Sequence, residues 1–289
     1  MFSLYFAGAC KNSCFDYLIK NKCKKLFSQY ADRKAIQQWI DAGGGEILLD
    51  SGAFSVYNSK KKIDIDEMIN YVNSISKYCS HIASLDVIGD AKASFENFEY
   101  IRKRINAPEK LMPTYHFNEP MEYLDKYLTL EDERGKVERL ALGGMVGIST
   151  KDRTKWLNEK IAYIRSKRPD ILIHVFGVTT AKVLKTVDCD SADSTTYIKH
   201  AVYGHLVLPN SGQSYHIGKS NKYISDIEPE VLDEPFKQQL KKLNLTIKDL
   251  VDNEEARMLF NMESMQNICN NMEQFRKEKI SSISKKSLI

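Results

Sequence analysis

No stretch of this 289-residue chain approaches the roughly 18 consecutive apolar residues of a membrane-spanning helix. The start, MFSLYFAGACK, lacks a basic segment ahead of its apolar part, so no membrane partner is expected and a cytoplasmic location is. Cys-x-x-Cys pairs are absent as well. The six cysteines, Cys10, Cys14, Cys23, Cys79, Cys189 and Cys269, fall at irregular spacings, which predicts reduced thiols rather than a disulfide framework. Cys10, Cys14 and Cys23 lie close together, yet no nearby histidine completes a ligand set, and small helix residues are expected there instead of a metal. Neither charge sign dominates: the formal net charge is +4, with 28% charged and 43% hydrophobic residues, a composition that excludes a disordered chain. Basic runs do occur, at 60–62 and near both ends of the 151–168 segment. They are compatible with a polyanionic partner, although such a run is more often a solvated face.

Short apolar runs alternate with longer segments of helical spacing. The runs occupy 4–9, 25–30, 46–52, 82–89, 111–117, 139–147, 171–177 and 188–195; helices are expected at 12–22, 33–42, 64–77, 91–105, 120–128, 151–168 and 180–186. Eight strand-helix alternations without hairpin signals predict parallel strands joined by right-handed crossovers, and the simplest closure is a (β/α)8 TIM barrel. An open doubly wound sheet is the alternative, disfavoured because no Gly-rich phosphate fingerprint follows the first strand. After residue 196 a hairpin or extended loop is expected, then helices through 229–280. There Leu259, Met262, Met265, Ile268 and Met272 recur at steps of three and four, an amphipathic face for docking on the barrel that would serve a homodimer or partner subunit as readily. The economical division is a barrel over 1–212 and a barrel-completing loop with a C-terminal helical extension over 213–289.

In such barrels the site sits at the C-terminal ends of the strands. Those ends carry Asp50 in ILLDSGAFSVY, Asp86, His116, Gly143, Gly144, Gly177, and Asp190 with Asp193, so four carboxylates are expected at one mouth. Gathering like charges costs free energy unless something uses them. A helix cap is an ordinary alternative for Asp86 or Asp90, and a structural role orienting an acid is one for His116. A divalent cation is another use of clustered acids, but Phe54, Tyr115, Phe117 and Phe176 beside them suit a flat, hydrogen-bond-donating ring such as guanine better. His81, His174, His200, His205 and His216 suggest no specific role.

Asp-Ser-Gly-Ala-Phe at 50–54, Ser-Leu-Asp at 84–86, Leu-Gly-Gly-Met at 142–145, Phe-Gly-Val at 176–178 and Asp-Ser-Ala-Asp-Ser at 190–194 resemble the tRNA-guanine transglycosylase superfamily in order and spacing, over about residues 4–212. The resemblance implies base exchange, with Asp193 as nucleophile on the sugar C1′ and Asp50 in guanine recognition and proton handling. It implies Asp86 on the base edge, the Gly143–Gly144 backbone on the base carbonyl, Phe54 stacking on the ring, and Ser51, His116, Gly177 and Asp190 completing the substrate pocket. It implies no cofactor and no metal. The tRNA enzymes carry a zinc site built from a Cys-x-Cys-x-x-Cys run and a histidine, whereas the single cysteine after residue 200 here is Cys269, and His116 stands where those enzymes have glutamine. Both departures resemble the shorter relatives of phages and bacterial genomic islands that insert 7-deazaguanines such as preQ0 into DNA. DNA is therefore the expected partner, in a bacterial host or phage-infected cell. tRNA and a catalytically silent nucleic-acid binder are the alternatives.

Overall fold

The computed structural model describes residues 2–9, 11–55, 62–178, 180–218, 227–228 and 230–274. Nine parallel strands form one sheet: β1 (Ser3–Phe6), β2 (Lys24–Ser28), β3 (Ile47–Asp50), β4 (Cys79–Ala83), β5 (Leu111–Met112), β6 (Thr114–His116), β9 (Arg139–Gly143), β10 (Leu172–Val175) and β11 (Ser191–Ser194). Between β6 and β9 lies a small antiparallel hairpin, β7 (Glu131–Asp132) and β8 (Gly135–Lys136). The sheet order is β5-β4-β3-β2-β1-β11-β10-β9-β6. Its two ends, β5 and β6, are halves of one chain segment parted by Pro113, which has no N–H to give a ladder. The Pro113 carbonyl still accepts from Ala141 N at 2.8 Å, so the segment joins β4 on one side to β9 on the other. The result is a TIM-like α/β barrel. All eight expected strand runs contribute to it.

Side chains partition with the period of two that a strand dictates. Leu4, Phe6, Ile47, Leu49, Leu140, Leu142, Ile173 and Val175 point outward into the main core. Tyr5, Leu48, Met112 and Ala141 fill the barrel interior, with Leu26 and Phe176 against them. The surrounding helices are α1 (Asn12–Lys20), α2 (Arg33–Asp41), α3 (Ile65–Ile75), α4 (Ala91–Arg102), α5 (Met121–Thr129), α6 (Thr150–Lys167), a single turn α7 (Ala181–Leu184) and α8 (Thr196–Val202). Asp64, Asp90 and Ser149 cap α3, α4 and α6 through side-chain bonds to first-turn amides. Asp90 thus takes the capping role, and Asp86 is left to the mouth.

Beyond α8 the hairpin β12 (His205–Val207) with β13 (Ser214–His216) bridges the expected division at residue 212. Helices α9 (Glu234–Leu243), α10 (Ile247–Asp252) and α11 (Glu254–Asn270) follow. One face of α11 sends Met258, Met262, Met265 and Ile268 into the main core, joined by Met272 just beyond its end. Ala256 and Phe260 on another face enter a second core with Phe236, Ile247 and Leu250. Buried Asn261 pins the helix to the hairpin, accepting from Val207 N at 2.7 Å and donating to the His205 carbonyl at 3.1 Å. The methionine stripe is covered by the chain's own barrel. The frayed tail expected after residue 280, together with Cys10 and with Lys60 and Lys61 of the basic run, lies outside the described residues.

Candidate functional site

Inward parity at the last strand positions builds the mouth of the barrel. Leu48 faces inward, so Asp50 two residues on does too; the same count brings Gly143 in after Ala141 and His116 in opposite the outward Tyr115. On β11 Ala192 faces outward and Asp193 inward, where its carboxylate is buried. Asp193 Oδ1 accepts the Gly177 N–H at 2.8 Å, and Gly177 sits at φ +65°, a left-handed conformation that glycine adopts without strain. Oδ2 has no hydrogen-bond partner among the described residues.

Asp50 closes β3, and its Oδ2 accepts from Gly52 N at 2.9 Å. Gly52 is at φ +81°, and a Cβ there would stand 2.6 Å from Tyr30 Cβ. Burial pushes the Asp50 carboxyl up to about 7; the Gly52 amide works against that rise, and the charges of Asp86, Asp193 and Asp32 add to it. At neutral pH this group is divided between acid and carboxylate, the state a group needs in order both to give and to take a proton.

Asp86, in the loop after β4, is held from two sides. Ser51 Oγ donates to Oδ1 at 3.3 Å and His116 Nε2 lies 2.9 Å from Oδ2. The Ser51 carbonyl is in turn fixed by Gln29 Nε2 at 2.9 Å. His116 Nδ1 meets Glu119 Oε1 at 2.9 Å, while its backbone N donates to Glu119 Oε2 at 2.8 Å. Burial alone would lower the imidazole pKa, but the hydrogen bonds to Asp86 and Glu119 outweigh it and lift the ring to about 9. His116 is therefore an imidazolium clamped between two carboxylates. Both ring nitrogens are used, so it orients Asp86 and does not itself present a group to a ligand.

Gly144 is held at φ +73° directly over this clamp. A Cβ there would approach His116 Cβ to 2.8 Å and Phe117 N to 3.0 Å, and the Gly143 carbonyl already accepts from Phe117 N. The bare backbone at 143–144 therefore forms one wall of the mouth.

Two expectations are corrected. Asp190 is not at the mouth: it precedes β11 at the opposite end of the barrel, where its Oδ2 accepts from Arg165 at 2.6 Å and from Ile173 N at 2.7 Å. It stands three residues from Asp193, and an odd separation along a strand reverses the facing. Tyr115 and Phe117 face outward for the same reason and pack on Trp156 of α6, Tyr115 stacked at 6.1 Å. Of the four acids expected at the mouth, three are there, Asp50, Asp86 and Asp193, with Glu119 behind them on the far side of His116. Of the four aromatic rings expected there, Phe54 is 59% exposed and Phe176 lies in the barrel interior.

Three features escaped the sequence. His174, fully buried, directs Nε2 at Asp193 Oδ1 from 3.5 Å and finds no hydrogen-bond partner for that nitrogen, while its Nδ1 pairs with Ser191 Oγ at 2.9 Å. Its place between outward Ile173 and Val175 in ILIHVFG is the signal that could have found it. Glu119, three residues after His116, was the second. The third is the rim of exposed apolar side chains that Phe54 shares on the mouth loops with Tyr30, Val87, Ile88 and, at 83% exposure, Val146. Each follows the C-terminal end of a different strand or shares a loop with one that does.

His200 on α8, His205 on β12 and His216 on β13 form a chain of ring contacts. Among the described residues no group of three or more His, Cys, Asp or Glu is placed to hold a metal ion, and no helix is long and apolar enough to cross a membrane. No protein-family model matches the chain, and no curated protein matches it.

Proposed function

We propose that the protein exchanges guanine for a 7-deazaguanine in DNA through a covalent aspartyl-glycosyl intermediate on Asp193. The observation that carries this reading is the state of Asp193: a buried carboxylate with one oxygen fixed by the Gly177 amide and the other unpartnered, in the same mouth as a half-protonated Asp50. Carboxylates attack oxocarbenium-like sugar centres well, as in retaining glycosidases. Oδ2 of Asp193 forms the bond to C1′ as the C1′–N9 bond breaks, and Asp50, in its acid form, supplies the proton that the departing guanine takes up. The incoming 7-deazaguanine then gives up its N9 proton to Asp50 and displaces the carboxylate from C1′. The exchange leaves both aspartates as they began.

Recognition follows from the rest of the mouth. Asp86, locked by Ser51 and His116, retains lone pairs for the N1 and N2 donors of a guanine-type edge. The bare Gly143–Gly144 backbone admits a flat ring closely, and Phe54, on the loop that follows β3, would stack on it. The base must leave its stack to reach this depth, and the apolar rim offers surface to the nucleotides beside it. The preference for DNA rests on the absence of a cysteine ligand set: Cys269 is a buried residue of the main core.

Incubation with radiolabelled guanine or preQ0, in parallel with duplex DNA and tRNA, tests the proposal. Label is expected in DNA. Label confined to tRNA overturns the choice of polymer, and label in neither overturns the exchange reading.

A further inference from the structure

At the end of the barrel opposite the mouth lies a cavity of about 450 Å³, formed where the strands begin. Ser3 and Lys24 open β1 and β2, Cys79 opens β4, and Arg139 opens β9; Lys110 immediately precedes β5. In barrels of this architecture that end is ordinarily given over to stability. Here it gathers four cations, Lys24, Lys77, Lys110 and Arg139, against one acid, Glu46.

Their partners decide what remains unbalanced. Lys24 pairs with Glu46 at 2.7 Å. The other three are steered by neutral groups: Lys110 Nζ donates to the Ser76 carbonyl at 3.0 Å, Arg139 Nε to the Glu109 carbonyl at 3.0 Å, and Lys77 lies over the Tyr78 ring at 4.9 Å. None of them has a carboxylate within ion-pairing distance among the described residues. The floor is neutral too. Arg139 only donates, so His81 Nε2, 3.4 Å from its Nη1, is the acceptor and Nδ1 carries the hydrogen. That hydrogen has two hydroxyl acceptors in reach, Tyr5 Oη at 3.0 Å and Ser80 Oγ at 3.1 Å, and the two hydroxyls lie 2.7 Å apart in a hydrogen bond of their own. Burial, with the charges of His174, Arg139 and Lys24 adding, holds His81 down at about 2, so the ring stays uncharged and no proton is available to rebalance the site.

We propose that this cavity binds a small phosphomonoester. Three uncompensated cations around a concave, polar-floored space match a dianionic group, and the volume accommodates a molecule of mononucleotide size. Tyr78, 41% exposed at the wall, gives an attached ring a surface to lie on. The same phosphate chemistry could reach the protein on a free metabolite or on the end of a nucleic acid. The cavity faces away from the mouth, and the proposal commits to the free molecule.

The experiment is calorimetric titration of the full-length protein at low ionic strength with inorganic phosphate, adenosine 5′-monophosphate, and a 5′-phosphorylated oligonucleotide duplex beside its unphosphorylated form. Saturable binding of inorganic phosphate and the monophosphate at about 1 mM or below is expected, weakened about tenfold by Lys77→Gln and by Arg139→Gln and unchanged by Asp193→Asn at the opposite end. Lys77 is exposed, so its variant tests the site without disturbing the floor. No saturation in the wild type overturns the proposal. So does binding that ignores both cavity variants or is lost with Asp193→Asn, and a duplex whose affinity depends on its 5′-phosphate while the free compounds fail overturns the choice of source.

Discussion

The pKa values at the mouth make opposite statements about Asp50 and His116, and both can be read out. Asp50 titrates near 7 in the folded protein and near 4 when unfolded, so the folded state binds more protons between those values and stability falls as pH rises through the window. Asp50→Asn removes that cost: relative to wild type, the variant gains roughly 3–4 kcal/mol between pH 4 and pH 8 in urea denaturation, while kcat/KM loses its inflection near neutrality along with the activity. His116, raised to about 9, contributes stability that is full below its unfolded value near 6.5 and is lost as pH climbs through 9. The stability gap between wild type and His116→Gln should therefore shrink by about 3 kcal/mol from pH 6 to pH 9.5; a constant gap would mean that folding does not raise the ring's pKa. Gly144→Ala puts a Cβ 2.8 Å from His116 Cβ at a φ of +73°, and a loss of about 1–3 kcal/mol is expected together with weakened exchange, since the clamp on Asp86 must move. Full stability with full activity would show that the wall at 143–144 is not built to that tolerance.

At the scale of elements, strands and helices were legible because their periods are. The eight apolar runs became the staves, and the helices expected at 12–22, 33–42 and 151–168 appear as Asn12–Lys20, Arg33–Asp41 and Thr150–Lys167. What was harder to read followed from facing and from distance. Asp190 and Asp193 look like neighbours in a string of acids, yet the strand turns one to Arg165 and the other to the mouth. The same parity takes Tyr115 out to Trp156 and brings His174 in to Asp193, and it could have been counted from ILIHVFG and LMPTYHF. Pairings such as Arg139 with His81, 58 residues apart, had no local signal at all. The docking of α11 was written in its period of three and four. Met262, fully buried between that helix and the barrel, is its centre, so Met262→Ala should cost about 2–4 kcal/mol by thermal or urea denaturation. A much smaller loss with a change to a dimer would show that the face packs on a second copy instead.

On the scale of the whole molecule, the barrel separates two chemistries by its own length. Asp50, Asp86 and Asp193 with an apolar rim occupy the C-terminal end, and three cations with no carboxylate partner among the described residues occupy the other, with Tyr5 edge to face against both His81 and His174 between them. A near-neutral net charge of +4 thus hides a polar axis, which is why composition alone revealed neither end. If the mouth meets a polyanion, as the proposed function requires, acids there are costly unless they act on it, and this is the strongest physical reason to assign them to chemistry rather than to adhesion. The chemistry leaves a trace that binding does not. Trapping the protein on guanine-containing duplex DNA, quenching in denaturant and resolving the products should show a protein–DNA adduct of one-to-one mass that chases away when preQ0 is added, and Asp193→Ala should show none. An adduct that persists in Asp193→Ala, or exchange that proceeds in that variant at the wild-type rate, would contradict the assignment of Asp193 as the nucleophile.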